Sequence, residues 1–185
     1  MNAILAIDPS SVKMSCAISG VDGEGLTFHT KSLAKHSEKR LPQITDWAEA
    51  MVNEAMSVAG LGEVYMFLEK PIVWGSKAST LVLGQVSGAT ISGLLRSDID
   101  RTLIIVNPSR WKAQELGNGH ADKPAIQAHL ASVWPHALAL ATTGKRGKVD
   151  QDLCDAACIL LYGRTVLRNM LKLESQQPRR IKRSR

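Results

Sequence analysis

Two short apolar runs in this chain each stop at a carboxylate. Ile4-Leu5-Ala6-Ile7 runs into Asp8, and Val64-Tyr65-Met66-Phe67-Leu68 runs into Glu69. Runs of this length with no polar break read as buried strands. An acid just beyond a buried strand is costly unless something cationic meets it. The chain must therefore fold so that both strand ends reach a place where that cost is relieved. A third acidic cluster, Asp152 and Asp155, opens the last long helical segment.

The elements between these points have a definite order. Residues 3–7 read as one strand. Residues 12–20 form a half-buried second strand with Val12, Met14, Cys16 and Ile18 on one face. A glycine-rich turn over 20–25 leads to a third strand over 26–31, so the first three elements read as an antiparallel meander. Pro42 lies just inside a helix from about residue 41 to about residue 58, whose apolar stripe includes Ile44, Trp47, Ala48, Met51, Val52 and Ala55. Gly60 and Gly62 end it. A fourth strand covers 63–68. A helix rich in small residues covers 77–96, and a fifth strand over 102–106 stops at Asn107-Pro108. A short helix follows, then a turn at Gly117-Asn118-Gly119. Asp122 caps a helix running to about residue 133, with Pro124 near its start. Residues 138–149 read as a loop and 151–173 as the last helix. This order predicts an α/β domain with a parallel crossover between strands four and five.

Composition narrows the function classes. A chain of 185 residues, 44% hydrophobic, fits one domain with a substantial core. The organisation expected is a domain over 1–175 and a basic tail over 176–185. No run of about 18 apolar residues is present, so no membrane span is expected. No secretion signal is read at the N-terminus, so a cytoplasmic protein is expected. Cys16, Cys154 and Cys158 give no disulfide framework or zinc spacing and read as buried small hydrophobes. The formal net charge is +6, but Arg179–Arg185 alone holds five Lys/Arg and no acid. Without that stretch 18 basic residues face 17 acidic ones. The stretch reads as a salt-sensitive nucleic-acid contact or as a solubilising end.

If strands one and four are adjacent and parallel, Asp8 and Glu69 project at one sheet edge, where sites in open α/β sheets tend to lie. Asp152 and Asp155 are three apart and share a helix face. Asp150 is two from Asp152 and ranks below them. Acids in a first helical turn also favour the helix dipole, which is the bland account of this cluster. Convergence of the acids would suit a pair of hard divalent cations, the machinery of phosphodiester hydrolysis.

Taken in order, Ile4-Leu5-Ala6-Ile7-Asp8-Pro9-Ser10, Leu68-Glu69 and Asp152-Leu153-Cys154-Asp155-Ala156-Ala157 resemble the RuvC-type Holliday-junction resolvases, which are RNase H-like nucleases. Between them, Pro108, Lys112, Gly117, Gly119, Ala121 and Lys123 resemble the family's basic segment. The correspondence covers most of residues 1–165. Two positions depart from the pattern. Ser10 stands where the family usually has glycine, and Asp152 stands where some relatives use histidine. The basic loop 145–148 and the tail extend past the compact family pattern, as in a phage or otherwise divergent member.

The resemblance implies an RNase H-like fold, a five-stranded mixed sheet flanked by helices. It implies a structure-selective endodeoxyribonuclease resolving four-way junctions as a homodimer. In it, Asp8, Glu69, Asp152 and Asp155 hold two Mg²⁺ ions, with Mn²⁺ as a substitute, and Lys112 assists catalysis. It also implies DNA contacts at Lys112, Lys123 and Trp74, and further DNA contacts are expected at Lys77, Arg110, Lys145, Arg146 and Lys148. Trp74 reads either as a wedge stacking on an unpaired base or as a core residue anchoring its loop, and Trp111 is open in the same way. Lys112 also reads as solvated surface. The helix over 77–96 reads as a dimer surface or as a helix buried on the sheet. Other readings are a nuclease of this fold acting on flaps, forks or RNA–DNA hybrids, and a branched-DNA-binding module without chemistry.

Overall fold

The computed structural model describes residues 1–71, 76–96, 101–143 and 147–176. Its elements in chain order are β1 (Ala3–Pro9), β2 (Lys13–Gly20), β3 (Thr27–Ser32), α1 (Ser37–Ala59), β4 (Val64–Glu69), α2 (Lys77–Leu94), β5 (Arg101–Val106), α3 (Pro108–Leu116), α4 (Lys123–Val133), α5 (Pro135–Leu140) and α6 (Gln151–Gln176). The strands form one sheet in the order β3-β2-β1-β4-β5. The β1–β2 and β2–β3 pairs are antiparallel, while β1–β4 and β4–β5 are parallel. This is the mixed five-stranded sheet that the strand order predicts.

Period-two alternation splits the core into two layers. Ile4 and Ala6 of β1, Ala17 of β2 and Phe67 of β4 pack on the face covered by α3, α4, α5 and α6. Leu5 and Ile7, Met14 and Cys16, and Met66 and Leu68 pack on the opposite face, against α1 and α2. Both faces are therefore dry, which is why β1 and β4 are apolar without interruption. On the α6 side, Tyr162 meets Phe67 edge-on with ring centroids 6.2 Å apart. Gly163 makes this close seat possible, because a Cβ there would stand 2.8 Å from the Phe67 ring.

On the other face α1 and α2 cross closely. A Cβ at Gly93 would stand 2.2 Å from the Thr45 carbonyl oxygen and 2.8 Å from the Ala48 Cβ. Thr45 Oγ1 also lies 3.3 Å from the Ala89 carbonyl oxygen. The small residues of α2 thus serve, at Gly93, its packing on α1.

Local signals account for most helix ends. Asn107 accepts from the Ser109 N–H at 3.0 Å and Pro108 follows it as the first residue of α3. Gly117 closes α3 at φ 73°. Asp122 accepts from the Ala125 N–H at 3.1 Å and starts α4 as expected.

Three boundaries differ from expectation. The first helix begins at Ser37, so Pro42 lies inside it rather than at its start. Val12 is 71% exposed in the β1–β2 turn and does not continue the buried face of β2. Residues 138–140 belong to α5, which Pro135 starts, and not to the following loop.

Candidate active site

The alternation that places Ile4 and Ala6 on the α6 side also places Asp8 there. Tyr65, Phe67 and Glu69 follow the same rule in β4. The β1–β4 register pairs Ile7 with Leu68, so Asp8 and Glu69 leave the sheet side by side at its parallel edge. Asp8, Pro9, Ser10, Ser11, Glu69, Lys70 and Pro108 line one cavity of about 240 Å³ there. The β1–β2 turn beside it is held by Ser10, which donates to the Lys13 carbonyl oxygen at 2.7 Å and accepts from the Lys13 N–H at 3.0 Å. Ser10 thus closes the turn by hydrogen bonding.

The acids of α6 reach this edge. Burial holds the Asp8 carboxyl well above the usual carboxylate range, with Glu69, then Asp155 and Asp152, adding to the effect. Burial also pushes Asp155 up to about 6. A hydrogen bond from the Gln151 amide opposes that rise, Glu69 adds to it, and the Lys112 ammonium opposes it. The four carboxylates from three elements therefore feel one another, as does Lys112.

Asp8 hydrogen-bonds with the Glu69 carboxyl, and the other acids have donors of their own. The Trp111 Nε1–H donates to Glu69 Oε1 at 3.0 Å, and Trp111 is fully buried. This settles Trp111 as a core residue. Gln151 Nε2 donates to Asp155 Oδ1 at 2.9 Å, and Gln127 Nε2 donates to Gln151 Oε1 at 3.0 Å. Lys13 Nζ stands 2.8 Å from Asp152 Oδ2, and 2.8 and 2.9 Å from the two oxygens of Asp150. Asp150 precedes α6 and accepts from the Asp152 N–H at 3.2 Å.

Lys13, Gln151 and Lys70 were not singled out by the residue pattern. Lys13 reads in sequence as an ordinary turn charge, and its partners lie 137 residues away. Lys70 had a usable signal, since it directly follows Glu69.

The remaining basic residues are dispersed. Lys112 is half-buried, with its ammonium 5.4 Å from the Trp111 ring centroid. Lys77 at the start of α2, Arg110 on α3, Lys123 at the start of α4 and Lys148 are exposed. Trp74, Lys145, Arg146 and the tail beyond Gln176 lie outside the described residues. The three cysteines are free and buried, and burial raises each thiol. No helix among the described residues is long and apolar enough to cross a membrane.

All-oxygen, mutually repelling carboxylates are the donor type that hard divalent cations take. Among the described residues, however, no group of three or more His, Cys, Asp or Glu side chains is already closed to metal-ligand geometry. Glu69, Asp155 and Asp152 instead face Trp111, Gln151 and Lys13. The donor chemistry fits a divalent ion, and each of these contacts takes one oxygen of its carboxylate and not the other.

No family model matches the chain. Over 165 residues it is 26% identical to the crossover junction endodeoxyribonuclease RuvC of Xanthomonas oryzae pv. oryzae, covering 87% of this chain and 86% of that one. The protein of the same name from Xanthomonas axonopodis pv. citri is 25% identical over 170 residues with the same coverage. Among solved structures, Thermus thermophilus RuvC superposes with a TM-score of 0.65 at 15% identity, over 90% of this chain and 96% of that one. The T. thermophilus RuvC in complex with Holliday junction substrate gives a TM-score of 0.66 at 15% identity, over 89% and 96%.

Proposed function

For this chain, RuvC-like in sequence over 87% of its length and RuvC-like in fold, we propose a metal-dependent endodeoxyribonuclease that resolves four-way DNA junctions. The observation that carries the reading is the arrival of Asp8, Glu69, Asp152 and Asp155 from β1, β4 and α6 at one sheet edge. Buried acids that raise one another's proton affinity are unfavourable by themselves, so their gathering calls for a cation.

In this reading the four carboxylates hold two Mg²⁺ ions, with Mn²⁺ able to replace them. Such ions supply an activated hydroxide and neutralise charge on the leaving oxygen. The chain's own groups do the positioning. Trp111 fixes one oxygen of Glu69, Gln151 fixes one of Asp155, and Lys13 holds Asp152. Lys112 stands close enough to Asp155 to lower its proton affinity, and from there it meets negative charge developing on the phosphate. Lys77, Arg110, Lys123 and Lys148, with Trp74, Lys145 and Arg146, contact the DNA outside the scissile step. Paired cuts need two sites, which a two-fold homodimer provides.

The test is nicking of a synthetic four-way junction with Mg²⁺ by wild type and Asp8→Asn, beside flap, fork, duplex and RNA–DNA hybrid substrates. Asp8→Asn should lose cutting and keep binding. Equal cleavage of every substrate would remove the four-way preference, and loss of binding in a folded Asp8→Asn protein would remove the simple ligand role.

A further inference from the structure

Arg40, in the first turns of α1, is only 7% exposed. Its Nε has no hydrogen-bond partner, and no described residue ion-pairs with its guanidinium. A guanidinium whose Nε is buried without a partner carries a desolvation cost, and arginine is always charged. The cost calls for an anion that is not part of this chain's described residues.

A place for it exists. Arg40 lines a cavity of about 440 Å³ with Lys35, Ser11, Ser79 and the apolar Val12, Leu33, Val82 and Leu83. Among the described residues no carboxylate lines it. His36 makes no side-chain cap at the start of α1, whose first turn carries the exposed Glu38 as its acid. Ser11 and Leu83 line both this cavity and the one holding Asp8 and Glu69. The two spaces are neighbours along the β1–β2 turn.

We propose that this cavity is a second DNA subsite, which takes a backbone phosphate on Arg40 and Lys35 and its sugar on the apolar wall. Resting on the nuclease reading, it adds to it a grip on the strand beside the scissile phosphate. The apolar lining lowers the local dielectric, which strengthens a guanidinium–phosphate pair relative to one on open surface. The guanidinium fork suits two phosphate oxygens at once.

The test is the salt dependence of junction and duplex binding by the full chain in EDTA, where cutting is silent. Arg40→Met should weaken binding about tenfold, the size of one charge-assisted hydrogen bond. It should also flatten the plot of log K against log salt by about one ion. Arg40→Lys should recover part of both. Ala78→Glu sets a carboxylate at the exposed mouth of the cavity without touching the core, and should reproduce the Arg40→Met slope if that variant folds poorly. Unchanged slopes in Arg40→Met and Ala78→Glu proteins that still cut junctions would overturn the subsite alone. A wild type that binds DNA through Arg40 but cuts nothing would overturn the nuclease reading and leave the subsite standing. Thermal protection by inorganic phosphate that needs Arg40, with DNA binding indifferent to it, would assign the cavity to a small phosphorylated molecule and overturn the backbone assignment.

Discussion

Asp155→Asn should make the metal-free protein more stable at neutral pH, although it removes a proposed metal ligand. Burial and the nearby Glu69 and Asp152 carboxylates raise the Asp155 carboxyl from 3.8 to about 6 in the folded chain. The unfolded chain returns it to 3.8, so the folded state binds the proton more tightly. Ionising Asp155 therefore costs nothing below about pH 4, costs progressively more between about 4 and 6, and stays constant above that. Two units correspond to about 3 kcal/mol at most. The partial exposure of the group reduces this to about 1–2 kcal/mol. The asparagine Oδ1 still accepts from Gln151, so that hydrogen bond is retained. Urea melts in EDTA at pH 4 and pH 7.5 measure the difference. The two proteins should coincide at pH 4, and the variant should gain about 1–2 kcal/mol in unfolding free energy at pH 7.5. Saturating Mg²⁺ should reverse the order, because ligand binding to the wild type adds stability by mass action. A variant less stable than wild type at pH 7.5 in EDTA would show that Asp155 is paired rather than repelled.

Other substitutions probe the groups that hold the acids and the sheet. Trp111→Phe keeps the buried ring but removes the donor to Glu69, and should weaken Mn²⁺ binding about tenfold by calorimetry. Lys13→Met leaves Asp150 and Asp152 without their shared cation. It should lower metal-free stability by about 1–3 kcal/mol in denaturant melts, and Mg²⁺ should restore part of the loss. Gly93→Ala forces a Cβ to within 2.2 Å of the Thr45 carbonyl oxygen. It should cost about 3 kcal/mol in urea melts, and no loss would mean that α1 and α2 separate easily.

The acids at the ends of β1 and β4 were legible because each ends an apolar run, and alternation alone decides which face receives them. The meander and the parallel crossover from β4 to β5 were legible from the same runs and the connections between them, whereas the pairing of β1 with β4 was only a condition that the structure meets. The support around the acids was not. Lys13 and Asp150 are each unremarkable in their own stretch, and only the docking of α6 against β1 and β2 brings them together. Trp111 sits between Arg110 and Lys112, so its neighbours suggest a DNA-facing ring. Its burial is decided by the position of α3 under β4, which no local pattern encodes. Pro42 misplaced the start of α1 because proline favours a first turn, whereas this helix tolerates it in the second.

The pairing of Lys13 with Asp150 spans 137 residues, and it has a consequence for synthesis. A chain still on the ribosome can assemble β1 to β5 and display Asp8 and Glu69 while the aspartates of α6 remain inside the exit tunnel. No partial product holds the full set of carboxylates. On the proposed nuclease reading, cutting therefore waits until α6 is released and docks.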